Sequence, residues 1–176
     1  PDAPSPLSFV PSMAVASYRP TRTEADPAPL ERVARAAGAP VGYPRIAPDG
    51  AMRFYVPRSD AAFVRDPRGF DAPGPDSVPI APRIILVPLL ALHRRGTRLG
   101  QGGGHYDRAL AALAKARQPG DHALTAVGIA WSVQEMPDLP REPWDYPLDM
   151  IVTEREWIVI NGAAAAGQTM SGGGKS

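Results

Sequence analysis

Four glycines in five positions stand near the middle of this 176-residue chain, in the stretch "RLGQGGGHYDR" from Arg98 to Arg108. The backbone N–H groups of a glycine loop can approach an anion closely because no Cβ blocks them, and a helix that follows adds a partial positive charge. Arg98 could add a bidentate contact to phosphate or carboxylate. Asp107, in the first helical turn, could help to hold a magnesium ion. The pattern therefore predicts a loop that binds a phosphate group.

A plain glycine-rich turn, whose aspartate only caps the helix, explains the same stretch equally well on spacing alone, because short glycine motifs are weak evidence. Two standard nucleotide motifs do not fit. A dinucleotide fingerprint from Gly100 requires glycine or alanine at its sixth position, which is His105. A Walker A loop requires a lysine and then serine or threonine after Gly104, and neither follows. The elements around the loop must therefore decide between a site and a turn.

A buried strand and a helix flank the loop. "RIILVP", which ends at Pro88, is a continuous apolar run, as is typical of a central strand buried on both faces. "HYDRALAALAKAR" predicts a helix with Tyr106, Leu110 and Leu113 on one face, ended by Pro119-Gly120. Ligands of open α/β sheets bind beyond the carboxyl ends of the strands. This order of elements therefore favours a binding site.

Further strands are predicted on both sides of this unit. They are expected at Met13–Tyr18, Val41–Ile46, Met52–Val56 and Ala123–Trp131, with two more joined by a charged turn in Met150–Ile160 and closed by Asn161-Gly162. The alternation of strands and helices predicts a single three-layer α/β domain with a mostly parallel central sheet flanked by helices. We expect this domain to span residues 13–162, after an irregular lead at 1–12 and before a low-complexity tail at 163–176.

One more helix and one long loop complete the prediction. Leu30, Val33, Ala34 and Ala37 recur at helical spacing, with Asp26 as the N-cap, Pro27 at the first helical position and Gly38 as the stop. The segment from Ser59 to Pro82 contains too much proline for regular structure and is predicted to be a long surface loop.

Composition excludes several classes of protein. The chain has no cysteine, which excludes disulfides, thiolate zinc sites and cysteine nucleophiles and suits a reducing cytoplasm, where we expect the protein to act. A net charge of +1 without a basic stripe argues against a nucleic-acid partner. The longest strongly apolar run, Ile84–Leu92, is far too short to span a bilayer, and the first residues do not read as a signal peptide. We therefore expect no membrane partner, and a monomer.

The stretch from Leu86 to Ala111 resembles the 5-formyltetrahydrofolate cyclo-ligase family, also called methenyltetrahydrofolate synthetases. The family signature is a Val-Pro strand, a short turn, Arg-Leu-Gly, a glycine run and Tyr-Asp-Arg; here these are Val87-Pro88, Arg98-Leu99-Gly100, Gly102–Gly104 and Tyr106-Asp107-Arg108. "VASYRPTRTEADPAPL" is similar to the family's early strand and acidic loop, and "VGIAWSVQEMPDLPREPWDYPLDMIVTE" is similar to its C-terminal block. The resemblance covers about Met13 to Thr153.

The resemblance implies an enzyme that uses ATP and Mg²⁺ to convert 5-formyltetrahydrofolate to 5,10-methenyltetrahydrofolate through a phosphorylated formyl group. It implies an ATP phosphate loop of Arg98, Leu99, Gly100, Gln101, Gly102, Gly103, Gly104, His105 and Tyr106, with Arg98 and Tyr106 also catalytic. It places the folate on Glu24 and Arg19, together with Gly102, Gly103 and Gly104. It assigns the magnesium ion to Asp107 and Asp145.

Each of these residues also has a simpler structural explanation. Glu24 could be a solvated loop carboxylate, and Tyr106 could belong to the core. Asp145 could cap a turn before Tyr146-Pro147, and Asp149 could be mistaken for it. A non-catalytic family member that binds folate or nucleotide is the main alternative. A generic glycine-loop module for a phosphosugar or CoA shares the fold class but leaves Glu24 and the C-terminal aspartates unexplained.

The sequence departs from the family pattern at its beginning. The family usually opens with a helix whose lysine, with a basic residue four positions later, reaches the ATP phosphates. Here no lysine precedes Lys115 and the first basic residue is Arg19. We therefore expect that helix to be lacking and the sheet face beneath it to be exposed. Because a charge-assisted contact contributes about 1.5–3 kcal/mol, two lost contacts predict ATP binding weaker by orders of magnitude.

Overall fold

Five parallel strands form the centre of an eight-stranded sheet in the computed structural model, which describes residues 5–59, 62–66 and 69–160. The strands are β1 (Val15–Ala16), β2 (Val41–Ile46), β3 (Met52–Val56), β4 (Phe63–Arg65), β5 (Asp71–Pro73), β6 (Val78–Ile80), β7 (Ile84–Pro88), β8 (Ala91–Leu92), β9 (Arg98–Leu99), β10 (Thr125–Ile129), β11 (Met150–Val152) and β12 (Trp157–Val159). The helices are α1 (Ala28–Ala36) and α2 (His105–Lys115), and a 3₁₀ turn covers Ser132–Gln134.

The large sheet has the order β12-β11-β10-β7-β1-β2-β3-β6. β2, β1, β7, β10 and β11 are parallel, and the outer strands β3, β6 and β12 pair antiparallel with their neighbours. β4–β5 and β8–β9 are separate two-stranded hairpins. The prediction of a mostly parallel central sheet is therefore confirmed.

Alternation along the central strands divides the core between the two faces of the sheet. Val15, Ile84 and Val127 join the cluster that contains Ala34 of α1. Their neighbours Ala16, Ile85 and Ala126 join the cluster that contains Leu110 of α2. Because successive side chains of a strand point to opposite faces, one helix covers each face. This arrangement confirms the three-layer α/β prediction.

The predicted long loop from Ser59 to Pro82 is wrong. Three short strands, β4, β5 and β6, lie in that segment, and β6 extends the large sheet at its edge. Their prolines, Pro73 and Pro79, lie in edge strands, where a missing N–H is tolerated. The high proline content of this segment therefore led to a wrong prediction of irregular structure where short strands form.

The ends of both helices differ by a few residues from the prediction. Pro27, rather than Asp26, is the N-cap of α1, and the Asp26 carboxylate accepts a hydrogen bond from the Ala28 N–H (2.9 Å) from one position further out. Val33, predicted on the apolar face, is 52% exposed. α2 ends at Lys115, before the predicted stop at Pro119-Gly120.

The sheet face expected to be exposed is covered. Val127, Ile129 and Met150 are buried in the core cluster on the α1 face, and Leu7 and Phe9, from the segment before β1, pack against that cluster. The lead therefore acts as a cover although its residues 5–12 form no helix or strand. The proposed domain limits stay a prediction, and Asn161-Gly162 and the tail at 163–176 lie outside the described residues.

Candidate active site

The glycine loop lies at the edge of the sheet where the parallel strands end. The β8–β9 hairpin follows β7 and delivers the chain to Gly100, and the loop then enters α2 at Gly104, whose φ is 59°. The Arg108 N–H, bonded to the Gly104 carbonyl at 3.1 Å, is the first donor of the helix. The first N–H groups of an α-helix point out of its N-terminus without an intrahelical acceptor, which is the geometry that binds anions.

Arg98 enters the site as a structural residue. Its side chain is only 6% exposed, and its Nη2 lies 2.5 Å from Asp107 Oδ1. Its Nη1 donates to the Tyr146 carbonyl oxygen. The guanidinium therefore joins the start of the glycine loop, the first turn of α2 and the segment before β11. The sequence predicted Arg98 as a phosphate contact and did not predict this burial.

The two predicted magnesium ligands lie beside the same backbone segment. Asp107 Oδ1 accepts a hydrogen bond from the Tyr146 N–H (3.1 Å), and Asp145 Oδ2 accepts one from the Glu142 N–H (2.8 Å). Asp145 therefore closes a turn, as the structural alternative predicted. Among the described residues no cluster of three or more Asp, Glu, His or Cys side chains lies close enough to bind a metal by itself. Magnesium bound with phosphates needs only one or two carboxylates.

Asp149, the residue that could be confused with Asp145, has a structural role. Its Oδ2 accepts a hydrogen bond from the Ala126 N–H (2.7 Å) and so links β10 to the residue before β11. Burial raises the pKa of this carboxyl above its ordinary value, against the opposing effect of that hydrogen bond. Asp149 thus faces the sheet rather than the loop.

Glu24 is brought to the glycine loop from a distant part of the sequence. Its Oε2 accepts a hydrogen bond from the Thr21 N–H (2.8 Å), which closes the acidic loop on itself. Its Oε1 accepts one from Gln101 Nε2 (3.3 Å). The predicted folate residue and the predicted phosphate loop therefore meet.

Two tyrosines lie close to this carboxylate. Burial raises the pKa of Tyr106, the charge of Glu24 raises it further and Arg98 opposes the shift. Burial also raises the pKa of Tyr18, with contributions from Tyr106 and Glu24. Both phenols therefore stay protonated and can donate hydrogen bonds near neutral pH. Tyr106 also packs against the core cluster on the α2 face, so the core interpretation and the site interpretation both apply.

The other predicted residues lie in the loop itself, except Arg19, which contacts Phe63. Leu99 and the loop positions from Gly100 to Gly103 are exposed, and Arg108 Nη2 donates to the Gly103 carbonyl (2.9 Å). The His105 ring lies against Gly103, where an added Cβ would be 2.8 Å from it. Arg19 is exposed, with its guanidinium carbon 4.4 Å from the centre of the Phe63 ring, and makes no ion pair with Glu24 within the described ranges.

Sequence reasoning missed Tyr18, Phe63 and the backbone of Tyr146. Tyr18 lies two residues after β1, at the edge where ligands bind, which was a usable signal. Phe63 lies in the segment that was predicted as a loop. The backbone of Tyr146 carries no signal in its residue type.

The comparisons with known proteins decide the family. The model of the 5-formyltetrahydrofolate cyclo-ligase family matches residues 7–154. This chain belongs to that family. The match includes the acidic loop, the glycine loop and the aspartates before β11, which confirms the resemblance predicted from the sequence.

Curated relatives match over a shorter stretch. 5-Formyltetrahydrofolate cyclo-ligase of Haemophilus influenzae is 40% identical over 70 residues, which are 39% of this chain and 34% of the relative. The cyclo-ligase of Escherichia coli K12 is 42% identical over 71 residues, 40% of this chain and 35% of the relative. The aligned part thus spans about a third of these relatives.

Solved cyclo-ligase structures share the fold. The NMR structure of Aquifex aeolicus 5,10-methenyltetrahydrofolate synthetase is 29% identical, with a TM-score of 0.66 over 91% of this chain and 78% of that one. The Mycoplasma pneumoniae 5,10-methenyltetrahydrofolate synthetase is 23% identical, with a TM-score of 0.56 over 80% of this chain and 73% of that one, and supports the fold alone. Within the described ranges, neither helix has the length and apolar character needed to cross a bilayer.

Proposed function

We propose that this protein converts 5-formyltetrahydrofolate to 5,10-methenyltetrahydrofolate in a reaction that consumes ATP and requires Mg²⁺. The observation that carries the proposal is the hydrogen bond between Glu24 and Gln101. It joins the loop assigned to folate with the loop assigned to phosphate, as a transfer from one substrate to the other requires. A generic glycine-loop module would not need this contact.

The proposed chemistry moves the formyl oxygen from folate to phosphate. The formyl oxygen attacks the γ-phosphorus of ATP and the bond to ADP breaks. N10 of the folate then attacks the activated formyl carbon and loses its proton, and the C–O bond breaks with release of phosphate. The protein supplies position and charge: backbone N–H groups from Gly100 to His105 face the phosphates, and Glu24 orients the folate.

The residues present fit a magnesium ion that is shared with phosphate oxygens. In the described part of the chain, the hydrogen bonds of Asp107 use only Oδ1 and that of Asp145 uses only Oδ2. Each carboxylate therefore keeps one oxygen for a hard cation, which accepts oxygen ligands from protein, phosphate and water. When bound, Mg²⁺ would neutralise charge on the phosphates.

The test measures product directly. The purified chain is mixed with 5-formyltetrahydrofolate, ATP and Mg²⁺, and the absorbance of methenyltetrahydrofolate is followed. Product should appear only when all three are present, and Glu24→Gln should raise the KM for folate about 10-fold or more, since a charge-assisted hydrogen bond contributes about 1.5–3 kcal/mol. Asp26→Asn, a change at a neighbouring exposed carboxylate, is the matched control and should leave that KM unaltered.

A non-catalytic folate-binding protein is the second candidate. It is favoured by the burial of Arg98, whose two terminal nitrogens are used inside the fold rather than offered to a phosphate. It predicts that calorimetry detects 5-formyltetrahydrofolate binding, lost in Glu24→Gln, while no product forms at saturating ATP. Absence of both binding and product would reject both candidates. We further propose a monomer that acts in the cytoplasm on this small-molecule substrate.

A further inference from the structure

Tyr18 connects the centre of the sheet to the acidic loop. It follows β1, a strand paired on both sides, and the Ser17 N–H continues that pairing with a 2.8 Å hydrogen bond to the Gly42 carbonyl. The Tyr18 side chain is 3% exposed. Its hydroxyl donates a buried hydrogen bond of 2.5 Å to the carbonyl oxygen of Ala25. The acceptor belongs to the residue directly after Glu24.

Burial alternates along the acidic loop on both sides of this contact. Ala25 and Pro27 are buried, whereas Asp26 is exposed and Glu24 is partly buried. Anchoring Ala25 therefore fixes the direction in which the Glu24 side chain leaves the backbone. The Glu24 carboxylate itself accepts hydrogen bonds from Thr21, within the loop, and from the exposed Gln101. Neither of these ties the loop to the sheet.

We propose that Tyr18 is a positioning residue, whose hydroxyl holds the Ala25 carbonyl so that Glu24 faces the glycine loop in the geometry that receives folate. The proposal deepens and rests on the proposed function. Tyr18 itself need not touch the substrate. Because a buried acceptor left without a donor destabilises the local conformation, removal of the hydroxyl should release the loop from the sheet.

The experiment compares Tyr18→Phe with Tyr43→Phe. Both tyrosines are almost fully buried on the same face, and each donates one buried or partly buried hydrogen bond, Tyr43 to Glu31 Oε2 at 2.7 Å. Only Tyr18 contacts the acidic loop. Any general effect of losing a buried hydroxyl should therefore appear in both variants, whereas an effect on the position of Glu24 should appear only in Tyr18→Phe.

Two readouts separate the positioning role from the proposed function. Hydrogen exchange of the amides of Thr21 and Glu24 should become at least about fivefold faster in Tyr18→Phe and unchanged in Tyr43→Phe, because a hydrogen bond of about 1 kcal/mol corresponds to that factor. The KM for 5-formyltetrahydrofolate should rise by a similar factor in Tyr18→Phe, while the KM for ATP and kcat stay within about twofold.

Unchanged exchange in Tyr18→Phe would overturn the positioning role, whatever the activity of the chain. Equal changes of folate KM in the two variants would also overturn it, because a general loss of stability would then explain both. An unmodified chain without folate binding or turnover would instead overturn the proposed function, which separates the two failures. Loop-specific exchange together with a folate-specific KM change is the result that supports the proposal.

Discussion

Arg98 Nη2 lies 2.5 Å from Asp107 Oδ1, in an ion pair whose two side chains are 6% and 21% exposed. The same carboxylate oxygen also accepts the Tyr146 N–H at 3.1 Å. This pair therefore fixes both ends of the glycine loop, since Arg98 precedes the loop and Asp107 follows it. Arg98 and Asp107, which the sequence predicted as ligands for phosphate and metal, therefore also stabilise the conformation of the site.

Asp107→Asn should lower both stability and magnesium affinity. Asparagine keeps an oxygen for the Tyr146 N–H but removes the charge opposite Arg98. Removing one charge of a buried ion pair costs about 3–5 kcal/mol. Because the Asp107 side chain is 21% exposed and asparagine keeps an oxygen acceptor, we expect a smaller loss, about 2 kcal/mol, in the free energy of unfolding. Urea denaturation measures this loss, and the Mg²⁺ dependence of the rate measures the affinity.

Asp71→Asn is the control for that change, because it removes an exposed ion pair with Arg65. Exposed pairs contribute little, so its urea midpoint should match that of the unmodified chain. A midpoint for Asp107→Asn equal to that of Asp71→Asn would show that the buried pair does not brace the loop.

Gly102→Ala should damage the glycine loop through its backbone alone. Gly102 has φ 83°, and an added Cβ there would meet nothing within 4 Å. A left-handed conformation costs about 1–2 kcal/mol in a residue with a Cβ. We therefore expect that loss of stability, and a KM for ATP raised several-fold as the loop amides shift. Both are measured on the purified variant by urea denaturation and steady-state kinetics.

Gly100→Ala provides the matched control. Gly100 also has open space around an added Cβ, but its φ lies outside the left-handed region. Its stability should stay close to that of the unmodified chain. An equal loss of stability at Gly100 and Gly102 would exclude backbone conformation as the cause.

Local patterns predicted the centre of the fold well. β2 and β3 have the predicted bounds, Val41–Ile46 and Met52–Val56, because their apolar runs are delimited by turn residues. β4–β6 were missed, because each of these strands has only three residues and is stabilised by pairing, β4 with β5 and β6 with the distant β3, rather than by local preference. The residue pattern of a short strand does not indicate which strand it pairs with.

The residues of the candidate site could be predicted from the sequence, whereas the hydrogen bonds and burial of those residues could not. The glycine run and Glu24 were identified through the family resemblance, although 77 residues separate Glu24 from Gln101. The burial of Arg98 could not be predicted, because it depends on a backbone carbonyl contributed by Tyr146 from another part of the chain. The turn closed by Asp145 was predicted only as an alternative to metal binding.

Gln101→Ala should uncouple the two predicted substrate loops. Its amide provides a hydrogen bond from the glycine loop to Glu24, at 3.3 Å in an exposed setting. An ordinary hydrogen bond contributes about 1 kcal/mol, so binding of a non-hydrolysable ATP analogue should change folate affinity about fivefold less in the variant than in the unmodified chain. Calorimetry with and without the analogue gives both affinities.

Gln118→Ala serves as the control, since Gln118 is exposed in the turn after α2, at the opposite end of that helix from the glycine loop. It should retain the full effect of the analogue on folate affinity. By linkage, folate must change the affinity for the analogue by the same factor. An undiminished effect in Gln101→Ala would show that the loops communicate by another route.

Asp149→Asn should stabilise the protein relative to the unmodified chain as the pH rises through the pKa of the Asp149 carboxyl in the folded state. Burial holds the pKa of this carboxyl above its ordinary value of 3.8, so the folded state binds the proton more tightly than the unfolded state. Its contribution to stability is complete below the unfolded pKa and is lost as the pH rises through the folded pKa. Asparagine keeps an acceptor for the Ala126 N–H and never ionises.

Urea unfolding across this pH range should show the stability of Asp149→Asn increasing relative to that of the unmodified chain and then reaching a plateau. Asp138→Asn, a change at an exposed carboxylate, is the control and should show no such trend. A pH-independent difference between Asp149→Asn and the unmodified chain would mean that Asp149 titrates alike in the folded and unfolded states.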